Sequence, residues 1–403
     1  MLRILPALVA ALLLFPTASA QGSGAARWHA SIIVSATGGG ALGQRHARAA
    51  ERGAAALRSS GIYGADVRID VHDDGGDPRR AESLALAALE GGALAVICCT
   101  SIAATDRVAA LAEEHGGLLL ALDAGRSAEG HWVLQLAPTA RAQMTAIAVH
   151  AAEEGKAALG LMTLDTGFGD DAERAFERAL ADTGRTGVGV ARYAPTASVL
   201  TPEALWMATR EPGSVIVWGL EGDTAVALEA LRRRGYLGPV YVRPSSLPPA
   251  AWRRSVRHEL GGDTVVPSRT DAWLGARLAV PPVMLGNALP AEHPNAPAVQ
   301  AFAARILGDG DALGGTTSPL ELVDLATVDD ALQLLRSGFE AVAELGIPES
   351  SPLVTTRLAL RDVFLSAPPR RLAAGTYAAL AGDSRAARWE GLVVVSVGAI
   401  DVR

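Results

Sequence analysis

The sequence predicts an α/β fold built from two units, each with a mainly parallel sheet. Three observations predict it. Short β-rich runs alternate with stretches of helical length, as βαβ crossovers require. The alternation occurs twice, with a break near Pro138. A chain of 403 residues, at roughly 150 residues per domain, holds two or three units that can each bury a core.

The first series opens with a β-rich run, Ser31 to Ser35, broken by Gly38-Gly39-Gly40-Ala41-Leu42-Gly43. Gln44 to Ser59 is rich in Ala and Arg and reads as a helix. Val67 to Val71 alternates apolar and polar residues, the period of a strand. Asp73 to Pro78 is a polar loop, and Arg79 to Glu90 is a helix. Ala93 to Cys98 is a buried strand, Ile102 to His115 a helix, and Leu118 to Leu122 a strand.

The second series has helices over Ala142 to Glu154, Asp170 to Thr183, Pro202 to Thr209 and Asp223 to Arg234. Strands fall at Ala158 to Leu164, Val188 to Tyr193, Ser214 to Trp218 and Val240 to Val242. Gly167-Phe168-Gly169 is a turn between strand and helix. Pro281-Pro282 and Pro290 to Pro297 read as loops. Ala298 to Leu307, Leu322 to Ala343 and Thr355 to Leu365 read as helices, and Leu392 to Val397 as a late strand. A strand after extra helices predicts that the chain returns to the earlier units.

Composition excludes several classes. With 49% apolar and 20% charged residues the chain is not disordered. A net charge of −7, with Lys156 the only lysine and no basic run interleaved with aromatics, argues against a nucleic-acid partner. Residues 1–20 have the pattern of a signal peptide: Met1-Leu2-Arg3, an apolar run from Ile4 to Phe15, then Ala18-Ser19-Ala20. That run is too short to span about 30 Å of hydrocarbon. No cysteine follows it, so no lipid anchor is expected. The expected location is outside the cytoplasm.

Cys98-Cys99 is the only cysteine pair, so a fold stapled by several disulfides is excluded. A vicinal bridge and two small buried thiols at a strand end both remain open. The scattered histidines give no metal site. No nucleophile elbow or SxxK constellation marks an enzyme, so no catalytic residues are assigned. The paired acids Asp170-Asp171 and Asp329-Asp330 read as solvated or helix-start charges.

Gly38, Gly40 and Gly43 satisfy GxGxxG between a strand and a helix. The acid expected about 20 residues on is missing; Asp73 and Asp74 lie farther away. The glycines therefore read as a close backbone approach to a ligand at a helix N-terminus rather than as a dinucleotide site, and no cofactor is expected.

Taken in order, several stretches resemble the type I periplasmic substrate-binding proteins of branched-chain amino acid ABC transporters. They are Ile33 to Gly38 with Leu42-Gly43, then Val71-His72-Asp73-Asp74 with Asp77-Pro78, then Val96 to Ser101. Phe168-Gly169 stands where that family has "YG", and His293-Pro294-Asn295 precedes Ala298 to Phe302 as in its "HPN…AVQAF". The resemblance implies two Rossmann-like lobes joined by three crossings, with a ligand cleft between them. Lobe one would hold residues 28–139 plus about 284–388, and lobe two residues 140–283 plus about 389–403.

It further implies binding residues. In lobe one these are Thr37, Leu42, Thr100, Ser101, Asp123, Ala124 and Gly125. In lobe two they are Phe168, Glu221 and Ser245. Hydroxyls and N–H groups of Thr100, Ser101 and the Ala124-Gly125 turn would take a carboxylate. Ser245 replaces the acid that holds an ammonium in the family, which leaves Glu221 as a candidate for that role. The implied function is capture of a small polar solute, an amino acid or a relative, for delivery to an ABC permease in the inner membrane. A sensory module of the same fold docked on a receptor is the alternative.

Overall fold

The computed structural model describes residues 27–123, 130–195, 197–246, 276–308, 319–378, 387–388 and 391–396. Residues 1–20, read above as a signal peptide, and Ala124-Gly125 lie outside these residues.

Strand β1 (Trp28–Val34) is buried along its whole length because it is flanked on both sides. It pairs in parallel with β2 (Val67–Asp73) and β3 (Ala95–Cys98). β4 (Leu118–Ala121) and β5 (Val133–Gln135) extend the sheet, giving the order β2-β1-β3-β4-β5. Helices α1 (Gly40–Ser60), α2 (Pro78–Glu90) and α3 (Ile102–His115) make the crossovers.

The second sheet repeats this plan. β6 (Ala158–Leu164) lies between β7 (Thr186–Tyr193) and β8 (Ser214–Trp218). β9 (Val240–Val242) and β10 (Ala276–Val280) follow in parallel, and β14 (Val393–Ser396) closes the edge antiparallel to β10. Its helices are α4 (Ala140–Glu153), α5 (Gly167–Thr183), α6 (Thr201–Ala208) and α7 (Glu221–Arg233). Both sheets thus run 2-1-3-4-5 in their own strand order. In such sheets the switch point beside the first strand is where ligands sit, outside the carboxyl ends.

The rest of the chain packs on this frame. α8 (Ala296–Phe302) is prolonged by a wide turn to Leu307. α9 (Pro319–Glu344) packs along α1, and α10 (Leu353–Ser366) packs on α9. β11 (Arg370–Arg371), β12 (Thr376–Tyr377) and β13 (Ala387–Arg388) form a small antiparallel sheet. Arg357 of α10 is buried and donates to the carbonyls of Leu89, Ala93 and His115 at 2.6 to 3.0 Å. It donates to carbonyls at and just beyond the C-terminal ends of α2 and α3, where a cation is also favoured by the dipole; the Leu89 carbonyl also accepts from the Gly92 amide at 3.2 Å.

Three expectations need correction. β5 and β10 were not expected as strands. One is only three residues long, and the other contains Arg277 and stops at Pro281-Pro282; sheet context supplies their partners. Asp329 and Asp330 are not solvated: they are 0% and 1% exposed. Asp329 pairs with Arg305 at 2.6 Å. Asp330 accepts from the Ala373 and Ala374 amides and from the Tyr377 hydroxyl, at 2.8 to 3.0 Å. Burial, then Asp329 beside it, pushes the Asp330 carboxyl well above its usual range. The motif residue Asn295 serves the same segment, donating from Nδ2 to the carbonyls of Leu372 and Gly375 at 2.7 and 3.0 Å. Finally, the triple-glycine loop approaches its own chain. A Cβ on Gly38 would overlap the Gly75 carbonyl, and one on Gly43 the Ser35 carbonyl.

Candidate ligand site at the sheet edges

At the first switch point, the loop after β1 meets the loop after β3. The Ser35 amide donates to Thr100 Oγ1 at 3.1 Å. Ser101 is the N-cap of α3, and its Oγ accepts from the Ala104 amide at 3.4 Å. Both hydroxyls therefore have an oxygen lone pair engaged by a backbone N–H, which leaves their own protons for donation outward. Cys98 and Cys99, both fully buried, are joined as a vicinal disulfide directly before them.

Thr37 is exposed but committed elsewhere. Its hydroxyl donates to Asp73 Oδ2 at 2.7 Å, and its amide lies 3.3 Å from Asp73 Oδ1. The hydroxyl, followed by the Gly75 amide at 2.9 Å, holds the Asp73 carboxyl below its usual range. Thr37 thus ties the β1–α1 loop to the end of β2. Leu42 is partly buried in the first turn of α1. Asp123 ends the described part of its loop, and its carbonyl accepts from Gln135 Nε2 at 3.0 Å. Gln135 is buried at the end of β5 and positions that backbone.

At the second switch point, Phe168 stands in the first turn of α5. Gly169 lets that turn lie against the end of β6, since a Cβ there would overlap the Leu164 carbonyl. Glu221 is the first residue of α7, after the Trp218-Gly219-Leu220 end of β8. Ser245 is exposed in a short turn, Pro244–Ser246. That turn closes on Arg243: the Ser246 amide and hydroxyl both donate to the Arg243 carbonyl, at 3.1 and 2.8 Å.

The Arg243 side chain is the residue that sequence reasoning missed. Its guanidinium carbon lies 4.9 Å from the Phe168 ring centre and 5.2 Å from that of Trp218. It is a cation held against two aromatic faces. Burial alone pulls its pKa down to about 10. Among the described residues no carboxylate lies within ion-pair distance of it. The available signal was an arginine placed directly after the apolar run Val240-Tyr241-Val242. Nearby, the hydroxyls of Tyr193 and Thr224 are buried without hydrogen-bond partners among the described residues, and both converge on Gly219.

So Thr100 and Ser101 come together at one edge, and Phe168 lies against Trp218 and Arg243 at the other. Thr37 is diverted to Asp73. Among the described residues no group of three or more His, Cys, Asp or Glu is arranged to hold a metal ion. Among them, too, no helix is long and apolar enough to cross a membrane.

Comparison with known proteins agrees with this architecture. A family model described as "Periplasmic binding protein" matches residues 30–258, more than half of the chain. The chain belongs to the periplasmic binding protein family. Solved structures with the same fold include an extracellular ligand-binding receptor from Rhodopseudomonas palustris HaA2. It has 20% identity and a TM-score of 0.61, with 93% of this chain and 99% of that one covered. A putative branched-chain amino acid ABC transporter from Rhodospirillum rubrum has 20% identity and a TM-score of 0.65, covering 91% and 99%. An R. palustris ABC transporter solute-binding protein in complex with 4-hydroxybenzoate has 16% identity and a TM-score of 0.57, covering 89% and 90%. At these identities the likeness establishes the fold. No curated protein matches the sequence. As in its family, this binding protein has two α/β lobes, with a ligand cleft between them.

Proposed function

We propose that this protein captures a small polar solute in the periplasm and hands it to an ABC permease. One observation carries the reading. The two switch points present complementary chemistry: outward hydroxyl donors at Thr100 and Ser101, and an aromatic-cationic platform at Phe168, Trp218 and Arg243. Neither edge encloses a solute alone, so capture requires the lobes to close by a hinge motion. In this reading residues 28–139 and about 284–388 form lobe one, and residues 140–283 and about 389–403 form lobe two. The passages between them act as the hinge. Residues 1–20 direct export and are removed near Gln21. The closed form then offers a surface from each lobe to the permease.

The test is a thermal-shift screen of the chain from Gln21 onward, against amino acids, organic acids, amides and polyamines. A solute at 100 times its Kd stabilises by about 2.7 kcal/mol, which shifts Tm by a few degrees. A hit whose effect is lost in Phe168→Ala supports capture at this cleft. A folded, ligand-free protein whose Tm no compound moves overturns the reading.

A further inference from the structure

We infer that the solute is an organic carboxylate whose anionic group docks on Arg243 of lobe two, not a zwitterionic amino acid held there by its ammonium. The inference rests on the solute-capture reading and names the chemical class for that site.

Arg243 is placed for this task by three features. It follows β9, next to β8 in the sheet, so it emerges beside the second switch point. The turn Pro244–Ser246 fixes its backbone through two hydrogen bonds to its carbonyl. The Phe168 and Trp218 rings at 4.9 and 5.2 Å give the guanidinium a defined seat. A partly buried cation without a carboxylate partner is costly unless something neutralises it. Among the described residues nothing does. Ser245, exposed in the turn that follows Arg243, carries no charge.

Further donors lie at this edge. Helices α5 and α7 begin near this seat without a side chain capping their first N–H groups, although their first turns also carry Asp170, Glu221 and Asp223, so the anion must be drawn by Arg243 itself. The Tyr193 and Thr224 hydroxyls at the same edge have no partner among the described residues. A planar guanidinium gripped by its ring contacts offers paired N–H donors, and a carboxylate returns two oxygens in matching geometry. A single arginine balances a single negative charge. A carboxylate therefore fits better than a phosphate dianion.

The experiment uses the mature chain with carboxylates each paired with its neutral amide: benzoate with benzamide, hexanoate with hexanamide, and 4-methyl-2-oxopentanoate with its amide. Leucine and the polyamine putrescine complete the panel. Calorimetric titration of wild type should show at least one carboxylate bound, and its amide bound about 100-fold more weakly or not at all. Arg243→Met should weaken that carboxylate by about 100-fold and erase the preference over the amide. Arg243→Lys keeps the charge but loses the paired donors, and should weaken binding by about tenfold while keeping the preference. Melting curves establish that each variant is folded, and the wild-type pairs decide the sign even if one variant is not. The inference is overturned if the wild type prefers leucine, putrescine or the amides. It is also overturned if preference is lost in Glu221→Gln and kept in Arg243→Met, since Glu221 would then read the charge. In either case solute capture stands. If no compound binds, both readings fall together.

Discussion

The two lobes share a backbone plan and differ in what they place on it. In each, the helix after the first strand starts against that strand's end, and a glycine in its first turn makes the approach possible. Gly43 lies on the Ser35 carbonyl and Gly169 on the Leu164 carbonyl. In each, the switch point lies beside that same strand. Yet the lobe-one edge consists of small hydroxyl residues tied into backbone hydrogen bonds. The lobe-two edge consists of rings around a cation with no carboxylate partner among the described residues. The shared part is set by close backbone packing, which tolerates few residue types. The divergent part rests on side chains that project from that frame and are free to vary with the solute.

The largest expected effect breaks the attachment of α10 to the first sheet's helices. Arg357→Leu removes the side-chain donor from the Leu89, Ala93 and His115 carbonyls, of which Leu89 keeps the Gly92 amide, and should destabilise the protein by about 3 kcal/mol. Urea unfolding checks this, and an unchanged midpoint would show that water replaces the arginine. Next, Gly43→Ala and Gly169→Ala test the shared device directly. Each puts a Cβ into a carbonyl oxygen and should cost about 3 kcal/mol, at the upper end of overpacking. A large loss for one and none for the other would mean that the likeness between the junctions is only apparent.

The third prediction concerns pH and a buried histidine of lobe one. His46 on α1 is buried, and burial followed by the neighbouring Arg45 lowers its pKa to about 4. The folded state therefore holds it neutral, whereas an unfolded histidine titrates near 6.5. Its contribution to stability is complete above pH about 6.5 and is lost as pH falls toward 4. Across that window the loss is about 3 kcal/mol. His46→Gln should flatten this part of the stability–pH curve; the same slope in the variant would assign it to other groups.

The smallest effect sharpens the contrast between the edges. Ser101→Ala removes the cap of α3 and should cost about 1 kcal/mol. Thr166→Ala, at the start of α5 where no side-chain cap bond exists, should cost under about 0.5 kcal/mol. Equal losses would mean that the lobe-two helix starts are capped in solution as well.

Much of the frame was legible in the residues. Ser31 to Ser35, Val67 to Val71 and Ser214 to Trp218 are strands because their apolar, β-branched runs are bounded by glycine or polar loops. Ser101 was legible as a cap and Phe168 as a ring at a helix start, because both depend on neighbours only a few residues away. Less was legible where a residue's role depends on distant chain. β10 is a strand because β9 and β14 flank it. Asp330 reads as a surface acid until Ala373, Ala374 and Tyr377, more than forty positions later, enclose it. Thr37 reads as a free hydroxyl until Asp73, thirty-six positions later, accepts its hydrogen bond.

By itself the sequence determined the alternation of strands and helices, the glycine junctions and the hydroxyl loops, since local periodicity and steric demand are written in adjacent residues. Only the tertiary structure decided which polar groups stay free at the cleft. That depends on partners brought together from separate strands. Arg243 is the clearest case: seventy-five positions from Phe168 in sequence, it acquires its seat only when β6, β8 and β9 lie side by side.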